Sequence, residues 1–488
     1  RLDQFLGWCR EADLTVQPSL FVGWMSGGVF WPKWKAGRNA FSDSFMRRRA
    51  VALAAAAARV CARHGDIVLA MDQGNELCCL PDCSAAAPEE VAAWCAEVNA
   101  AIAREFPTAL RISGNEQTQV IADSGWRLGA QPGCDLYSMH TYPNSAWHPL
   151  RFDGMTDPLG QSLFPFYLKC ARAFGPVMAQ EFGTLFTAGK EAADYLRAIL
   201  PACHAAGANG YLWWCLRDIA ARVHPYEKNA FEGGMGLVDA AGRVKSALRP
   251  FLEFARDVTE TPADDVRPPD VALYWPKHYY PRDNPLNPGN EPRVLSRRMI
   301  VAHFALEQLG LRVGVERGDL PTGNAGANTI VIAGALLSDS EVRALTGWVR
   351  AGGRLVWHGL EATTWGRATD ELTGATAVDF LAPRAEGVEA FGETWNFREF
   401  ARDVRVGVRP TTAWVVAKDR SGRAVVLENR LGRGGVAVCL AQPDDGFADE
   451  SEDRAARSRW SRWYAGMLKC CGHALPSGIA RKEVRAAD

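Results

Sequence analysis

The fold of the N-terminal half of this chain is decided by the stretch Ile67-Val68-Leu69-Ala70-Met71-Asp72-Gln73-Gly74-Asn75-Glu76. There, an apolar run of strand length ends in a turn and a glutamate. A second stretch of the same design is Pro176-Val177-Met178-Ala179-Gln180-Glu181-Phe182-Gly183. A carboxylate at the carboxyl end of a strand in a parallel α/β barrel lies on the face where such barrels carry out chemistry. The two stretches therefore predict a barrel with Glu76 and Glu181 on its functional face.

The composition limits the possible partners. The 488 residues are enough for two domains, each with a substantial core. Lys and Arg number 55 against 56 Asp and Glu, so the charge favours neither nucleic acid nor an anionic membrane as a partner. The 13 Cys follow no repeat and no paired metal-ligand spacing, which favours free thiols in a reduced, cytoplasmic setting and no bound metal. No apolar run reaches membrane-spanning length.

Residues 1–258 alternate strand-like and helix-like patterns. The predicted strands are 14–21, 67–76, 109–113, 134–140, 176–183 and 210–215. The predicted helices are 2–12, 44–64, 88–106, 164–173, 195–206 and 244–258. Such alternation with short connections favours a parallel sheet. A (β/α)8 TIM barrel has eight strands and this chain opens on a helix, so we predict a barrel whose first two strands are missing. An open doubly wound sheet is the alternative.

A second α/β domain is predicted over residues 270–475. A linker rich in Pro and Asp, 259–269, precedes it, and a tail, 476–488, follows it. The fully apolar run 329–335 is typical of a buried parallel strand, and the order of elements is flavodoxin-like. Residues 361–435 are irregular, with a β-hairpin near 413–429. The domain lacks a Cys-His nucleophile motif and a Gly-rich phosphate loop, which indicates a structural or subunit-contact role.

Two carboxylates at the ends of barrel strands suit the hydrolysis of a glycosidic bond. Retaining hydrolysis needs carboxyl groups about 5–5.5 Å apart, one attacking the anomeric carbon and the other protonating the leaving oxygen. The ionised partner raises the pKa of the acid. This double displacement requires no metal and no organic cofactor.

Four motifs in strand order give the chain a resemblance to clan A of the retaining glycoside hydrolases, closest to family 5. They are Gly74-Asn75-Glu76, His140-Thr141-Tyr142, Gln180-Glu181-Phe182-Gly183 and Trp213-Trp214. The resemblance implies that Glu76 is the acid/base and Glu181 the nucleophile. Glu116 ends a second Gly-Asn-Glu tripeptide. This tripeptide follows the fifth barrel strand, whereas the acid/base of the clan follows the fourth.

The resemblance also extends to the substrate and to the second domain. The segment 22–27 resembles a loop found in some family 5 enzymes that act on mannosides. The second domain resembles the glutamine-amidotransferase-like trimerisation domain of family 42 β-galactosidases. A homo-oligomer, either a trimer or a dimer, is therefore expected through this domain.

Five further residues are predicted to bind substrate. Asn75 suits a hydrogen bond to the sugar 2-hydroxyl, although Gly-Asn is also a turn sequence. His140 and Tyr142 alternate along a strand end and so face one side, where either can hydrogen-bond the nucleophile; a structural histidine is the alternative. Trp214 is the predicted sugar platform, and Trp24 is predicted at the rim of the cleft.

The leading functional prediction is a retaining β-glycosidase that acts on an oligosaccharide or glycoside, specifically an exo-acting β-mannosidase. The alternatives within enzymes are an endo-β-mannanase or cellulase, and a β-galactosidase. The alternative outside enzymes is a non-catalytic carbohydrate-binding subunit. Asp218 and Glu232, in the loop after the last barrel strand, are possible hydroxyl contacts that the sequence does not decide.

Overall fold

The computed structural model describes residues 1–185, 189–220, 223–227, 229–260, 267–283, 291–360, 366–381, 387–396 and 405–476. The chain divides into two compact units. The first comprises Arg1–Asn144 and Gly154–Val266, and the second comprises Ser145–Asp153 and Arg267–Asp488. Most of the predicted linker and nearly all of the predicted tail lie outside the described residues.

The first unit is built on parallel strands that follow one another along the chain. Its strands are β1 (Ser19–Phe21), β2 (Trp24–Met25), β3 (Gly28–Val29), β4 (Ala70–Gly74), β5 (Leu110–Ile112), β6 (Tyr137–Thr141), β7 (Val177–Phe182) and β8 (Ala208–Trp213). One parallel sheet has the order β1-β4-β5 and another the order β6-β7-β8. A parallel bridge between Ile112 and Leu136 connects β5 to the start of β6.

The helices of this unit lie between its parallel strands. They are α1 (Leu2–Glu11), α2 (Ser44–Ala62), α3 (Pro81–Ala85), α4 (Pro88–Glu105), α5 (Thr118–Ile121), α6 (Pro158–Arg172), α7 (Lys190–Ala205) and α8 (Leu248–Glu260). This alternation is that of a TIM-barrel-type fold. Among the residues that the structure describes, no pairing of β1 with β8 closes a barrel.

Local sequence explains where the longer helices begin. The Asp43 carboxylate accepts hydrogen bonds from two backbone N–H groups at the start of α2, and Asp157 caps α6 by accepting from the Leu159 N–H. Small buried residues of α2, such as Ala54 and Ala58, pack in one core with Trp94 of α4. The small side chains let the two helices lie close together, which accounts for the Ala-rich sequence.

Several predicted bounds were wrong. The first strand is shorter than 14–21 and is preceded by a single bridge at Val16. The segment after it forms the antiparallel hairpin β2–β3. Helices α6 and α7 begin several residues earlier than predicted, and each contains an internal proline, Pro165 and Pro201. A proline inside a helix is a stop signal only when tertiary packing does not compensate for the lost hydrogen bond.

The second unit has a seven-stranded sheet. Besides the seven strands of this sheet, the unit has two separate two-stranded pairs. The strands of the unit are β9 (Val271–Trp275), β10 (Val313–Arg317), β11 (Thr329–Ala333), β12 (Arg354–His358), β13 (Ala375–Leu381), β14 (Gly387–Ala390), β15 (Glu393–Asn396), β16 (Arg405–Pro410), β17 (Trp414–Lys418), β18 (Ala424–Leu431) and β19 (Gly434–Cys439). Its helices are α9 (Pro292–Gln308), α10 (Asp339–Arg350), α11 (Arg367–Thr373), α12 (Pro443–Asp449) and α13 (Arg454–Cys470).

The sheet of the second unit has the order β10-β9-β11-β12-β19-β18-β17. Its first five strands in this order, β10, β9, β11, β12 and β19, are parallel to one another. Strand β18 is antiparallel to β19, and β17 is antiparallel to β18. Every residue of β9 and β11 is buried, and for β11 the apolar run 329–335 predicted this. The region predicted as irregular contains more strand than one hairpin, because β13 pairs with β16 and β14 with β15.

Candidate active site

Glu76 and Glu181 come together at the ends of β4 and β7. One carboxylate oxygen of each, together with a ring nitrogen of His140, lie within 4.8 Å of one another. Each of the two glutamate side chains is 17 % exposed. Retaining hydrolysis needs carboxyl groups about 5–5.5 Å apart. The predicted pair is therefore close enough for a double displacement and open enough to meet a substrate.

The backbone before Glu76 is unusually constrained. Glu76 itself has φ 47° and ψ 42°, in the left-handed region that side chains other than glycine rarely adopt. A Cβ atom added at Gly74 would lie 2.3 Å from the carbonyl oxygen of Phe21, so only glycine fits there. The Asn75 amide donates to the carbonyl oxygen of Trp24 at 3.1 Å. Strain at a single residue that bears a reactive group is a common feature of functional sites.

An extra residue in β7 brings two neighbouring side chains to one histidine. Met139 pairs with Ala179 and His140 with Glu181, so Gln180 is an additional residue opposite β6. Neighbouring side chains in a regular strand point to opposite faces, but a bulge re-aims them. As a result Gln180 Oε1 lies 3.1 Å from His140 Nε2, while Glu181 Oε2 lies 3.6 Å from His140 Nδ1.

His140 contacts both glutamates of the site. Its ring is 2 % exposed, and its Nδ1 lies 3.1 Å from Glu76 Oε1. Burial lowers the pKa of His140, but the charge of Glu181 and the hydrogen bond to Glu76 outweigh burial and raise that pKa to about 10. The two carboxylates therefore hold a proton on this imidazole.

The Tyr142 hydroxyl donates a hydrogen bond to Glu181 Oε1 at 2.6 Å. Burial raises the pKa of Glu181, and the charge of His140 and the Tyr142 hydrogen bond act against that rise. The same burial raises the pKa of Tyr142 well above its ordinary value, so the hydroxyl keeps its proton and remains a donor. His140 thus contacts both glutamates, and Tyr142 contacts Glu181.

The two tryptophans at the end of β8 have separate surroundings. Trp213 packs against Phe182, with ring centroids 5.5 Å apart, and its Nε1 donates to the carbonyl oxygen of Met235. Trp214 hydrogen-bonds the side chain of Glu232 instead. Glu232 is buried and also accepts a hydrogen bond from the Ser26 hydroxyl at 2.6 Å.

Glu232 is close enough to the pair for its charge to raise the pKa of Glu181. From the sequence alone, neither Glu232 nor Asp218 could be assigned as a contact to substrate hydroxyls. Asp218 instead forms an ion pair with Lys245 and accepts from the backbone N–H of Gly236, which orders its own loop.

Glu116, the competing glutamate, is held differently. It is 5 % exposed, and its Oε1 accepts from the backbone N–H of Thr118 at 2.7 Å. The thiols of Cys78 and Cys79 lie 3.4 and 3.5 Å from the same oxygen. Burial, followed by the charge of Glu76, raises the pKa of Glu116. Its local hydrogen bonds turn it away from the role that its tripeptide suggests.

Two sets of three side chains in the described part of the chain have the spacing of metal ligands. One is the glutamate pair with His140, whose Nδ1 already faces an oxygen of each glutamate, and the other is Cys78, Cys79 and Glu116. Hydrolysis by two carboxyl groups requires neither set to hold an ion.

Sequence reasoning missed Asp72 and Gln180, which lie directly behind His140. Asp72 is 1 % exposed, and Gln180 Nε2 donates to its Oδ2 at 3.1 Å. An acidic residue within an otherwise apolar strand was the available indication, because a buried carboxylate needs dedicated partners.

The chain is similar to several solved structures. An exo-beta-1,4-mannosidase, Op5Man5 from Opitutaceae bacterium strain TAV5, is 45 % identical over 96 % of this chain and 85 % of that chain, with a TM-score of 0.90. GH5_18 from Streptomyces cattleya, in complex with Manb1-4GlcNAc, is 22 % identical over 68 % of this chain and 84 % of that chain, with a TM-score of 0.58. A beta-galactosidase from Rahnella sp. R3 is 15 % identical over 98 % of this chain and 82 % of that chain, with a TM-score of 0.70.

The last two likenesses concern the fold alone. No protein-family model and no curated protein sequence matches the chain. No helix among the described residues is both long and apolar enough to cross a membrane. The identity to the mannosidase extends along nearly the whole chain, and the paired glutamates have the spacing of retaining enzymes. The chain belongs to family 5 of the clan A glycoside hydrolases.

Proposed function

We propose that the protein is an exo-acting β-mannosidase that hydrolyses its substrate with retention of configuration. The observation that carries this proposal is the glutamate pair, whose carboxylate oxygens lie within 4.8 Å beside a shared histidine. The likeness to an exo-beta-1,4-mannosidase, 45 % identical, supports the sugar and the exo action. The likeness to β-galactosidases is one of fold and does not favour galactosides.

In the proposed reaction, Glu181 attacks the anomeric carbon while Glu76 protonates the leaving oxygen. The C–O bond to the leaving group breaks and a glycosyl ester forms on Glu181. Glu76 then takes a proton from water, which attacks the ester and regenerates the free carboxylate. The Tyr142 hydroxyl holds one oxygen of Glu181 in place, so that the other can attack.

We propose the predicted substrate contacts with one refinement for Asn75. One of the two amide hydrogens of Asn75 is engaged by the carbonyl oxygen of Trp24, which leaves its other polar positions for the sugar 2-hydroxyl. Trp214 serves as the platform beneath the sugar ring, and the Glu232 hydrogen bond fixes the plane of its indole. Trp24 lies in the β2–β3 hairpin and forms the rim.

For the rest of the chain we propose the domain limits 1–258 and 270–475, with 259–269 as linker. The strand order 2-1-3-4-5 of the parallel part of the second sheet supports a flavodoxin-like domain. The domain is proposed to form a homo-oligomer contact, either trimeric or dimeric. All thirteen cysteines are free, which supports the proposed cytoplasmic location.

The test is hydrolysis of a panel of 4-nitrophenyl β-glycosides (mannoside, glucoside and galactoside) by the wild type and by Glu181→Ala. We expect turnover on the mannoside, with a loss on the order of 10⁴-fold or more in the variant. The matched control is Glu116→Gln, for which we expect nearly wild-type turnover. The proposal is contradicted if the wild type does not hydrolyse the mannoside, or if turnover persists in Glu181→Ala.

Exo action has its own measurement. Incubation with β-1,4-linked manno-oligosaccharides is expected to release mannose from the first time point, with each chain shortened by one unit. The anomer formed first, followed by NMR, is expected to be β. Early release of internal fragments would favour an endo-mannanase instead.

A further inference from the structure

A buried chain of hydrogen bonds lies behind His140 and takes no part in the reaction proposed so far. It begins at Asp72 on β4, which accepts hydrogen bonds from the Ser19 hydroxyl, from the Gly74 N–H at 3.1 Å and from Gln180 Nε2 at 3.1 Å. Three donors directed at one carboxyl group favour its ionised form. Burial raises the pKa of Asp72 to about 6, which still leaves it ionised at neutral pH.

The ionised Asp72 fixes the orientation of the next link. Because Gln180 uses its amide nitrogen to reach Asp72, its carbonyl oxygen is the atom that faces His140. A carbonyl oxygen can only accept, so the hydrogen between Gln180 Oε1 and His140 Nε2 belongs to the imidazole. The chain therefore dictates that Nε2 carries a hydrogen, and the assignment follows from donor and acceptor chemistry alone.

The other ring nitrogen then has a defined task. His140 Nδ1 lies 3.1 Å from Glu76 Oε1, and one proton is shared along that line. With Nε2 already protonated, this proton belongs to the His140–Glu76 pair and can reside on either partner. When it resides on Glu76, the acid is ready to protonate a leaving oxygen.

We propose that Asp72 and Gln180 are positioning residues of the glycosidase, which hold a proton on His140 Nε2 and so reserve Nδ1 for the acid/base Glu76. The proposal rests on the proposed function, since it assigns Glu76 as the acid. Neither residue touches the reacting atoms, and both act through His140. The bulge at Gln180 is what allows the same strand to supply this residue and Glu181.

Other charged groups face the His140–Glu76 pair from several elements. They are Asp72 from β4, Glu116 after β5, Glu181 from β7 and Glu232 from the loop after β8. All are carboxylates, and each favours a proton on the pair. None of these four carboxylates contacts His140 Nε2 in the described part of the structure, where Gln180 Oε1 is its partner. Substitution of Asp72 or Gln180 therefore changes where the proton lies while leaving the remaining carboxylates in place.

The first variant is Asp72→Asn. Without the carboxylate, the Gln180 amide is free to turn and present N–H to His140 Nε2, which forces the imidazole proton onto Nδ1. Glu76 then accepts a hydrogen bond as a carboxylate, so it holds no proton to give to the leaving oxygen. We expect kcat/KM on 4-nitrophenyl β-mannoside to fall on the order of 100-fold, the usual worth of a proton transfer.

Two further readouts separate a lost proton from a damaged fold. With 2,4-dinitrophenyl β-mannoside, whose leaving group needs no proton, the loss in kcat/KM is expected to stay below roughly 10-fold. The alkaline limb of the kcat/KM profile is expected to move to lower pH, because the His140–Glu76 pair has lost the Nε2 proton that keeps the second proton available to the acid. The control Asp135→Asn, which breaks the ion pair with Arg111 at the opposite end of β6, is expected to move neither readout.

The exchange of the two groups is the sharpest test. In Asp72→Asn combined with Gln180→Glu, the amide and the carboxylate trade places, so the net charge and the acceptor for Nε2–H are both kept. We expect the double variant to recover most of the activity that each single variant loses. Equal losses on both aryl mannosides, with no recovery in the double variant, overturn the proposal.

The proton can also be located without catalysis. In the wild type labelled with ¹⁵N-histidine, the His140 resonances assigned by His140→Gln are expected to show a protonated Nε2 at neutral pH, and Asp72→Asn is expected to change that pattern. This measurement holds even if the protein turns over no mannoside, so failure of the proposed function and failure of the proton assignment are distinguishable. An unprotonated Nε2 in the wild type overturns the proposal.

Discussion

Two histidines lie at or near the carboxyl ends of parallel strands, one in each unit of the molecule, and their surroundings differ in one decisive respect. His140 lies in β6 and is 2 % exposed, while His358 ends β12 and is 0 % exposed. Each ring has partners at both nitrogens, and each Nδ1 faces a carboxylate. His140 faces Glu76 at 3.1 Å and His358 faces Asp444 at 2.9 Å.

The difference lies in what surrounds those carboxylates. Asp444 is 0 % exposed, and it also accepts the Tyr464 hydroxyl at 2.6 Å. Trp463 Nε1 donates to His358 Nε2, so this imidazole is an acceptor at Nε2 and a donor at Nδ1. Glu76, by contrast, is partly exposed. The same residue types build a sealed structural link in one unit and an open chemical site in the other, and access decides between them.

The carboxylate partners give the largest expected contrast. Glu76→Gln removes the acid, so kcat/KM on 4-nitrophenyl β-mannoside is expected to fall on the order of 10³-fold. Asp444→Asn should leave kcat/KM within about twofold but lower the free energy of unfolding by about 3 kcal/mol, because it breaks a buried network. Steady-state kinetics and urea denaturation measure the two effects. A kinetic loss in Asp444→Asn would end the comparison.

The histidines themselves come next. His140→Ala leaves both glutamates without their shared proton and is expected to lower kcat on the order of 100-fold, with a small change in stability. His358→Ala removes the imidazole that joins Asp444 to Trp463 in the buried network, which costs about 3 kcal/mol of stability, while turnover by the folded protein stays unchanged. Thermal unfolding beside kinetics on the same samples tests this; a stability loss in His140→Ala as large as that in His358→Ala would contradict it.

The sequence supplied the order of the barrel-type strands and the four motifs that end them, because period and turn chemistry are local. It could not distinguish His140 from His358. Both follow apolar runs, and the groups that seal His358 lie far along the chain, Asp444 in α12 and Trp463 in α13. Burial of a strand end is a tertiary property, so a strand-end histidine carries no local mark of its access to substrate.

The bulge at Gln180 was equally hidden. A run of six residues in β7 looks regular, and only its pairing with β6 shows that Gln180 is the additional one. Register is set by side-chain packing between strands that are distant in sequence. Alternation in the sequence therefore predicts that Gln180 and Glu181 point apart, whereas both reach His140. Gln180 was missed for this physical reason.

Tyr142 and Tyr464 are the most closely matched residues of the two units, since each donates its hydroxyl to a carboxylate at 2.6 Å. Their variants are expected to differ least in effect. Tyr142→Phe removes a hydrogen bond that favours ionised Glu181, so the pKa of this carboxyl rises. Because the nucleophile must be ionised, activity is lost at a higher pH on the acidic side, and the acidic limb of kcat/KM should move upward. We expect kcat at neutral pH to fall by roughly tenfold.

Tyr464→Phe removes the matching hydrogen bond in the second unit. Asp444 keeps His358 as a partner, so the expected cost is about 1–2 kcal/mol of unfolding free energy with no change in the pH profile. The two variants differ from the wild type by the same single oxygen atom, so differences in chain entropy and volume cancel between them. If Tyr464→Phe moved the acidic limb as Tyr142→Phe does, the sealed network would be coupled to catalysis and access would not be what separates the two histidines.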